Sequence, residues 1–596
     1  MNPGAAYAWG PARLPDGRWR FRLWAPGARA VALRLDHADL PMTDLSDGWY
    51  EYVTDEAAPG DTYCFSVNGT HVPDPAARAQ AGDVHAHSRL VDPDAYQWQV
   101  KDWRGRPWEE AVIYELHVGT FTEEGTFRAV IDRLDHLVSL GVTAIELMPV
   151  AQFAGNRGWG YDGVMIYAPH PAYGTPEDLK ALVDAAHGKG LMILLDVVYN
   201  HFGPEGNHLH TYAEAFFDAG RHTPWGPGIA YQKRPVRDFF IDNALCWLEE
   251  FRFDGLRLDA IDNIIDRSSP NVLEELAETV HQRIPDREIH LTTEDNRNIV
   301  SLHRRGADGS VPLYAGEWND DLHNAAHVIA TGESGGYYMD FIDQPWQKLA
   351  RALAEGFSYQ GQISTFMDGM ERGEKSCGQP QTAFISFLQN HDQVGNRALG
   401  ERLTTLIDGA VLEVLTAMLL LCPQIPLLFM GEEWGETHPF LYFTDFHGKL
   451  ADAVRQGRRK EFASFPEFAD AHDRDSIPDP NAESTFAASR IDWNRPQTPE
   501  GRARLELYRR LLALRREHIV PHLRQAGGNS GRILKGEDGF LAVRWRLGDH
   551  VLFMALNLSS RAHDLPFAGG EIHAVGREGD RLLAPGICVT LGREAA

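Results

Sequence analysis

Phe253-Asp254-Gly255-Leu256-Arg257-Leu258-Asp259-Ala260 is the stretch of this sequence that decides its fold. It predicts a short buried strand in which Leu256 and Leu258 alternate with Arg257 and Asp259. Because side chains two residues apart leave the same face of a strand, the arginine and the aspartate face the same way. Opposite charges on one buried face are costly unless they pair or take part in chemistry. The stretch therefore fits a structural ion pair, or an ionised carboxylate that a guanidinium holds ready as a nucleophile.

Outward from this strand, short apolar runs alternate with amphipathic helices from about residue 110 onward. Eight strands are predicted, at 111–117, 142–149, 191–198, 256–260, 289–293, 312–316, 383–388 and 425–430. Eight strand–helix units indicate an α/β fold built on a (β/α)8 barrel. The alternative is a doubly wound sheet, which lacks support because no glycine-rich phosphate loop follows the first strand.

Two helices between the strands have clear signals. The first is predicted to bury one apolar face, made of Phe127, Val130, Ile131, Leu134, Leu137 and Val138. The second begins at Thr175-Pro176-Glu177-Asp178, which is typical of a capped helix start with proline in the first turn.

The segments on either side of the barrel alternate with the period of strands. Residues 1–100 predict an N-terminal β-sandwich, and 519–596 predict a C-terminal antiparallel β domain. The catalytic barrel then occupies 101–518, closed by a helix at 502–517. A loop insertion at about 201–237, rich in Gly, Pro, His and aromatic residues, is expected to form a lid beside the site, with a plain surface loop as the alternative for its tip.

Charge and cysteine content exclude several classes of partner. The 57 Lys and Arg against 84 Asp and Glu give a net charge of −27, which disfavours nucleic acid and anionic membranes. Five scattered cysteines without a CxxC pair indicate a reducing compartment. The first ten residues resemble no signal peptide and no apolar run is long enough to cross a bilayer, so a cytoplasmic protein is expected.

Ionisable residues collect where the predicted strands end, which is where (β/α)8 barrels place their working groups. These strand ends read Asp196 to His201, Arg257 to Asp259, Glu294-Asp295, and Asn390-His391-Asp392. One such end is ordinarily a helix cap or a structural pair, whereas four at equivalent positions indicate a shared site.

Three of these carboxylates, Asp259, Glu294 and Asp392, match the needs of glycoside cleavage. One carboxyl group protonates the leaving oxygen while a second stays ionised and attacks the anomeric carbon. Crowding by its neighbours is expected to raise the pKa of Glu294, as a general acid requires. The remaining candidates are His201 and His391 for sugar hydroxyls and Tyr161 for stacking on a sugar ring. A metal site at Asp196 and His201 is the alternative, but their spacing is not distinctive.

The motifs at 196–201, 255–260, 294 and 390–392 resemble, in order, the four characteristic regions of the α-amylase superfamily. The resemblance covers the whole chain and implies a retaining mechanism with Asp259 as nucleophile, Glu294 as acid/base and Asp392 as transition-state stabiliser. Asp295 beside the acid is a further candidate for substrate binding. The implied separation of the two reacting carboxyl groups is about 5–5.5 Å.

Longer stretches are similar to the malto-oligosyltrehalose trehalohydrolase family: 199–207, 318–321, 387–397, 431–436 and 443–448. That similarity implies hydrolysis of the α-1,4 bond next to a terminal trehalose unit, which releases trehalose and a shortened maltooligosaccharide. Many amylases carry Lys-His soon after the nucleophile, but here Ala260-Ile261-Asp262-Asn263 follows Asp259. The leaving-group side is therefore expected to be built by other residues, namely Trp225, Trp318, Asn319 and Asp320, for each of which packing between barrel loops is the alternative.

Two other functions compete with this interpretation. A glycogen-branching or debranching enzyme would share the sandwich and the carboxylates and differ in the acceptor or in the bond cleaved. A catalytically silent carbohydrate-binding protein would have lost a carboxylate, and none is missing. No cofactor and no required metal are expected, and the expected partners are the maltodextrin substrate, trehalose, and functional pairing with the enzyme that makes the substrate.

Overall fold

The fold was analysed in a computed structural model that describes residues 7–223, 226–462, 470, 474–567, 570–579 and 581–593. Eight parallel strands pair in sequence order, and the first pairs with the last, so the sheet closes into a barrel. The strands are β1 (Ile113–Leu116), β2 (Ala144–Leu147), β3 (Met192–Val197), β4 (Gly255–Leu258), β5 (His290–Thr293), β6 (Gly316–Trp318), β7 (Phe384–Ser386) and β8 (Ile425–Phe429). The predicted (β/α)8 barrel is confirmed.

Helices connect the strands and surround the barrel. Between β1 and β5 they are Val118–Phe121, Phe127–Ile131, Leu134–Leu140, Pro176–Gly188, Leu209–Tyr212, Arg234–Leu245 and Val272–Arg283. Between β6 and β8 they are Asp320–Thr331, Pro345–Glu355, His391–Gly395, Leu403–Leu406 and Gly409–Leu421. After β8 they are Gly448–Glu461, Glu483–Ala488, Pro499–His518 and Val520–Leu523.

The helix start predicted at Thr175 is confirmed in atomic detail. The Thr175 side chain accepts a hydrogen bond from the Asp178 backbone, and the Asp178 carboxylate accepts one from the Thr175 backbone. This reciprocal pair satisfies two of the amide groups that a helix leaves unpaired at its N-terminus.

The helix predicted over Phe127 to Val138 is instead two helices, Phe127–Ile131 and Leu134–Leu140. Leu134, Leu137 and Leu140 of the second helix are buried. Val138, predicted on the apolar face, is 42% exposed.

The sixth strand was also placed wrongly. It was predicted at 312–316 but runs from Gly316 to Trp318, with ladder pairing to β5 only from Gly316 onward. Pro312 cannot donate to a ladder and is exposed. The correction moves Trp318 from the predicted loop into the barrel wall.

Two β domains flank the barrel, as predicted. The N-terminal sandwich has one sheet of Ala12–Arg13, Trp19–Trp24, Trp49–Thr54 and Thr43–Asp44, and a second of Ala38–Pro41, Val31–Leu35, Thr62–Val67, Thr70–Val72 and Ser88–Arg89. The C-terminal antiparallel sheet contains Gly531–Glu537, Phe540–Leu547, His550–Asn557, His563–Asp564, Gly570–Glu578 and Leu582–Arg593.

The insertion after β3 has more regular structure than its composition indicated. It contains the Leu209–Tyr212 helix and an antiparallel hairpin of Phe217–Thr223 and Gly226–Ile229. Trp9 of the N-terminal segment packs edge-on against Phe216 and Phe239, and its indole donates a hydrogen bond to the carbonyl of Pro235. The insertion therefore joins the sandwich to the barrel. Other short hairpins are Ala151–Gln152 with Met165–Pro169 and Gln362–Ser364 with Met370–Arg372.

The first residue of β4 leaves no room for a side chain. A Cβ placed on Gly255 lies 2.0 Å from the carbonyl oxygen of His290 and 2.8 Å from Leu194 Cδ2. We expect Gly255→Ala to lower the free energy of unfolding in urea by about 1–3 kcal/mol, because β4 must move away from β5. Gly409→Ala is the matched control: a Cβ there meets nothing within 4 Å, and we expect a neutral or slightly stabilising effect. Equal stability of the two variants would contradict this account of β4.

Candidate active site

The Arg257 guanidinium lies inside the barrel with no exposed surface and contacts carboxylates from three neighbouring strands. Its Nη1 is 2.6 Å from Asp196 Oδ2 and 2.8 Å from Asp259 Oδ1, and its Nη2 is 3.4 Å from Glu294 Oε2. The ring of Trp318 lies beneath it, 4.2 Å from the guanidinium carbon. One buried cation therefore faces three carboxyl groups, which supply the close partners that a buried arginine requires.

Asp259 follows the last residue of β4, and a second donor fixes its carboxylate. Asn200 Nδ2 donates to Asp259 Oδ2 at 3.0 Å and to the Asp259 carbonyl at 2.8 Å. With Arg257 on Oδ1, each carboxylate oxygen of Asp259 accepts from a fixed donor. The side chain keeps 13% of its surface exposed toward the mouth of the barrel.

Glu294 stands at the corresponding position after β5. Its Oε2 accepts a hydrogen bond at 2.8 Å from the backbone N–H of Ala260, a residue in the left-handed region at φ 41°. Burial raises the pKa of Glu294 well above its usual value; nearby charges of Asp259, Asp320 and Asp392 raise it further, while Arg257 opposes them. Burial thus outweighs the crowding by carboxylates that the sequence had suggested as the cause.

Asp392 lies farther from its strand than Asp259 and Glu294 do. The strand β7 ends at Ser386, and Asp392 belongs to the first turn of the His391–Gly395 helix. Its side chain is 43% exposed, so it is the most open of the three carboxylates. Asp392 Oδ1 is 3.4 Å from His391 Nε2 and accepts from Asn396 Nδ2 at 3.2 Å.

His391 links the two sides of the site. Its Nδ1 is 2.5 Å from Glu115 Oε1, and its Nε2 is 2.8 Å from the Tyr161 hydroxyl, which itself donates to Asp196. The Tyr161 hydroxyl has one hydrogen, which it donates to Asp196, so in its contact with His391 Nε2 it must be the acceptor. Because Nδ1 of His391 donates to the Glu115 carboxylate, both imidazole nitrogens are donors. Burial alone would lower the pKa of His391, but the charges of Glu115 and Asp392 outweigh it and raise this pKa to about 9.

Several predicted substrate-side residues have other partners. Trp318 is 2% exposed beneath Arg257, and Asn319 is fully buried, caps the Asp320–Thr331 helix and donates to the Gly356 carbonyl. The carboxylate of Asp295 is held by Arg297, with 2.7 Å between Arg297 Nη2 and Asp295 Oδ2. In the structure these three residues have partners within the protein, and a direct role for them in substrate binding stays a prediction.

The other candidates divide between the site and its surroundings. Asp320 is in the site, where it raises the pKa of Glu294 and accepts from Gln393 Nε2 at 3.1 Å. His201 is 7% exposed; burial lowers its pKa to about 4, and its Nε2 donates to the Tyr161 carbonyl. Trp225 lies outside the described residues.

The alternative of a metal at Asp196 and His201 finds no support in the contacts of these two residues. Asp196 contacts Arg257 and Tyr161, and His201 contacts the Tyr161 backbone. Among the residues that the structure describes, no three His, Cys, Asp or Glu side chains form a group suited to a metal ion.

Sequence reasoning missed Asn200, Glu115 and Glu146. Glu115 and Glu146 are both 1% exposed and lie opposite each other in the ladder between β1 and β2. Burial raises the pKa of Glu146 well above its usual value, and neither of its oxygens has a hydrogen-bond partner among the described residues. The signal that singled out Arg257, a charged residue within an apolar strand, was present at both positions.

The charge on His391 makes a prediction about stability. In the folded protein the pKa of His391 is raised from its unfolded value of about 6.5 to about 9. The charged imidazole therefore stabilises the folded state fully below about pH 6.5, and this stabilisation is lost as pH rises through about 9. We expect Glu115→Gln to lower the free energy of unfolding by about 2–4 kcal/mol near pH 6, because the buried imidazolium loses its partner. In urea titrations the difference in free energy of unfolding between wild type and variant should be smaller at about pH 9.5 than near pH 6. A gap that does not change with pH would show that His391 is uncharged.

Comparison with known proteins places the chain in a family. Residues 96–243 and 222–518 match the model for the alpha amylase catalytic domain, 8–106 match carbohydrate-binding module 48, described as the isoamylase N-terminal domain, and 528–591 match a domain of unknown function. A crystal structure from Salmonella typhimurium, provisionally titled an alpha amylase, is 53% identical with a TM-score of 0.96, covering 99% of this chain and 100% of its own. A Paenibacillus barengoltzii pullulanase, 20% identical with a TM-score of 0.71 over 99% of this chain and 96% of its own, shares the fold.

Relatives with an assigned activity name are similar along nearly the whole chain. Malto-oligosyltrehalose trehalohydrolase from Deinococcus radiodurans is 42% identical over 595 residues, which is 98% of this chain and 96% of its own. The protein of the same name from Saccharolobus solfataricus is 38% identical, over 89% of this chain and 91% of its own. A Streptomyces avermitilis 1,4-alpha-glucan branching enzyme is 33% identical over only 45% of this chain and 52% of its own. The chain therefore belongs to the malto-oligosyltrehalose trehalohydrolase family, with a catalytic domain of the alpha-amylase type.

Proposed function

We propose that this protein is a retaining glycoside hydrolase that cleaves the α-1,4-glucosidic bond next to the terminal trehalose of maltooligosyltrehalose. Membership of the family supports the choice of bond and substrate. The observation that carries the chemistry is the contact of Arg257 with both Asp259 and Glu294, because it brings the two carboxyl groups to one guanidinium. A glycogen-branching or debranching enzyme is not favoured, since the branching relative matches less than half of the chain.

In the proposed first step, Asp259 attacks the anomeric carbon of the glucose unit that precedes trehalose. Its two oxygens are held by Arg257 and Asn200, so the nucleophile is oriented before substrate arrives. Glu294 gives its proton to the glycosidic oxygen, the C–O bond breaks and trehalose leaves. The maltooligosaccharide stays bound to Asp259 as a covalent ester.

In the second step, Glu294 acts as a base. It takes a proton from a water molecule, whose oxygen attacks the same anomeric carbon and releases Asp259 and the maltooligosaccharide. Glu294 is then protonated again and ready for the next cycle. The more exposed Asp392 is assigned to sugar hydroxyls, where its negative charge stabilises the oxocarbenium-like transition state.

The domain bounds are part of the proposal. The sandwich is assigned to 1–100, the catalytic barrel to 101–518 and the C-terminal β domain to 519–596.

The cellular location and the functional partner are also proposed. In the described part of the chain no helix is long and apolar enough to cross a membrane. All five cysteines are unpaired, which favours the reducing cytoplasm. Functional pairing with the enzyme that makes trehalose-ended maltodextrins is proposed from the nature of the substrate.

Products from two substrates test the assignment of function. We expect wild-type protein to release free trehalose from maltotriosyltrehalose and to turn over maltopentaose slowly, as measured by chromatography. New α-1,6 branches, or equal hydrolysis of both substrates, would contradict the proposed specificity.

Variants of the two carboxyl groups separate their roles. We expect Asp259→Asn to lose activity on every substrate by a factor of about 10⁴ or more, because no covalent intermediate forms. Glu294→Gln should lose activity on maltotriosyltrehalose but react with α-maltotriosyl fluoride, since fluoride leaves without a proton. Asp308→Asn, on an exposed loop, is the control and should match wild type. If Glu294→Gln fails equally on both substrates, the acid role is wrong.

The charge of Asp320 predicts a shift in pH dependence. Glu294 must be protonated for the first step, so kcat/KM should fall as pH rises through the pKa of Glu294, which burial and then neighbouring charges raise. Burial raises the pKa of Asp320 to about 7, so Asp320 is ionised on the alkaline side. We expect Asp320→Asn to move the alkaline limb to lower pH, and Asp308→Asn to leave it in place. A shift toward higher pH would contradict this coupling.

A further inference from the structure

A cavity of about 560 Å³ lies at the end of the barrel opposite to Asp259. Val112, Val142 and Leu191 stand just before β1, β2 and β3 and form part of its lining, together with Leu512 and Val520 from the last helices of the barrel. The volume is within the usual range for small-molecule sites, about 300–1,000 Å³. Its floor is aliphatic, and no aromatic residue lines it.

The charged residues around this cavity are arranged unevenly. They are Arg106, Glu109, Glu110, Lys189, Arg515, Arg516 and Arg524. Arg106 pairs with Glu110 at 2.7 Å, and Lys189 pairs with Asp135 outside the cavity. Of the remaining charged residues in the lining, Arg515, Arg516 and Arg524 are positive and only Glu109 is negative.

This local excess of positive charge stands out in a chain whose net charge is −27. The field of the whole protein repels anions, so a cationic concavity on such a surface is a specific local feature. Arg516 and Arg524 are exposed, and neither makes a side-chain hydrogen bond or ion pair within the described ranges.

Arg515 belongs to the wall of the cavity. It has no exposed surface, and its Nη1 and Nη2 donate to the carbonyl oxygens of Cys422 and Gln424 just before β8. Its Nε has no hydrogen-bond partner among the described residues, although the side chain lines the cavity. Because its guanidinium is fully buried and bonded to these carbonyls, Arg515 contributes positive charge to the wall of the cavity and no direct contact to an occupant.

We propose that this cavity binds a small organic anion, with its anionic group at Arg516 and Arg524 and its apolar body over Val112, Val142 and Leu191. Phosphate esters and carboxylates with a hydrocarbon or aryl body have this chemistry, because arginine binds such oxygens in a planar, charge-assisted geometry. A neutral oligosaccharide does not fit, since the lining offers no aromatic ring for stacking. The occupant lies far from the reacting carboxylates and contacts segments that hold the barrel closed.

Binding can be tested by calorimetry with phenyl phosphate as the probe. We expect one site per chain, and a thermal unfolding midpoint that rises with probe concentration because only the folded protein binds. Phenol lacks the anion and inorganic phosphate lacks the apolar body, so each should bind at least about tenfold more weakly. Absence of phenyl phosphate binding, or equal binding of phenol, would overturn the proposal.

Variants locate the site. We expect Arg516→Gln/Arg524→Gln to weaken phenyl phosphate at least about tenfold through loss of charge-assisted hydrogen bonds. Val138→Glu, at a 42% exposed position of the lining, places a carboxylate in the cavity and should weaken binding similarly. Arg502→Gln, on the same helix and outside the cavity, is the matched control and should bind like wild type.

Asp259→Asn should also keep full binding of phenyl phosphate, which makes this test independent of the proposed hydrolase activity. Undiminished binding by both cavity variants, or loss of binding in Asp259→Asn, would overturn the assignment to this end of the barrel.

Discussion

The buried guanidinium of Arg257 is the group on which the rest of the site depends. Removing an arginine from water costs several kcal/mol, and only close, well-placed anions offset that cost. Here Asp196, Asp259 and Glu294 come from β3 and from the ends of β4 and β5, so one side chain sets the spacing of three strands. Replacing any one of these acidic residues therefore changes the electrostatic environment of Arg257 and, through it, of the other two.

The same electrostatic constraint extends around the barrel through hydrogen bonds. Tyr161 joins Asp196 to His391, and His391 joins Tyr161 to Glu115 on β1. A chain of hydrogen bonds therefore runs from Glu115 on the first strand through His391 and Tyr161 to Asp196 on the third. Such networks polarise their members, so the orientation of each group depends on all the others.

The sequence was informative where a local rule and the tertiary structure agree. The strand around Arg257 and the helix start at Thr175 both follow from spacing within a few residues, and both were predicted. Asp259 and Glu294 could be predicted to lie together because they stand at equivalent ends of neighbouring strands, a regularity that the barrel imposes, whereas Asp392 lies in a helix beyond the end of β7.

Features that depend on distant partners could not be found in this way. Glu115 looks like an isolated charge until His391, 276 residues later, is placed beside it. The sixth strand was predicted at 312–316, an apolar run that contains Pro312, whereas its ladder pairing begins only at Gly316. Once the strand is moved by a few residues, a tryptophan expected beside the sugar lies beneath an arginine.

The left-handed turn at Ala260 decides which oxygen of Glu294 carries the proton. Its N–H and Arg257 both face Oε2, and the described residues give Oε1 no donor, so the acidic hydrogen belongs on Oε1. Under the proposed mechanism both proton transfers then pass through one atom. The leaving oxygen of trehalose and the attacking water must each lie next to Glu294 Oε1, one after the other. Trehalose therefore has to leave this position before water can hydrolyse the ester of Asp259.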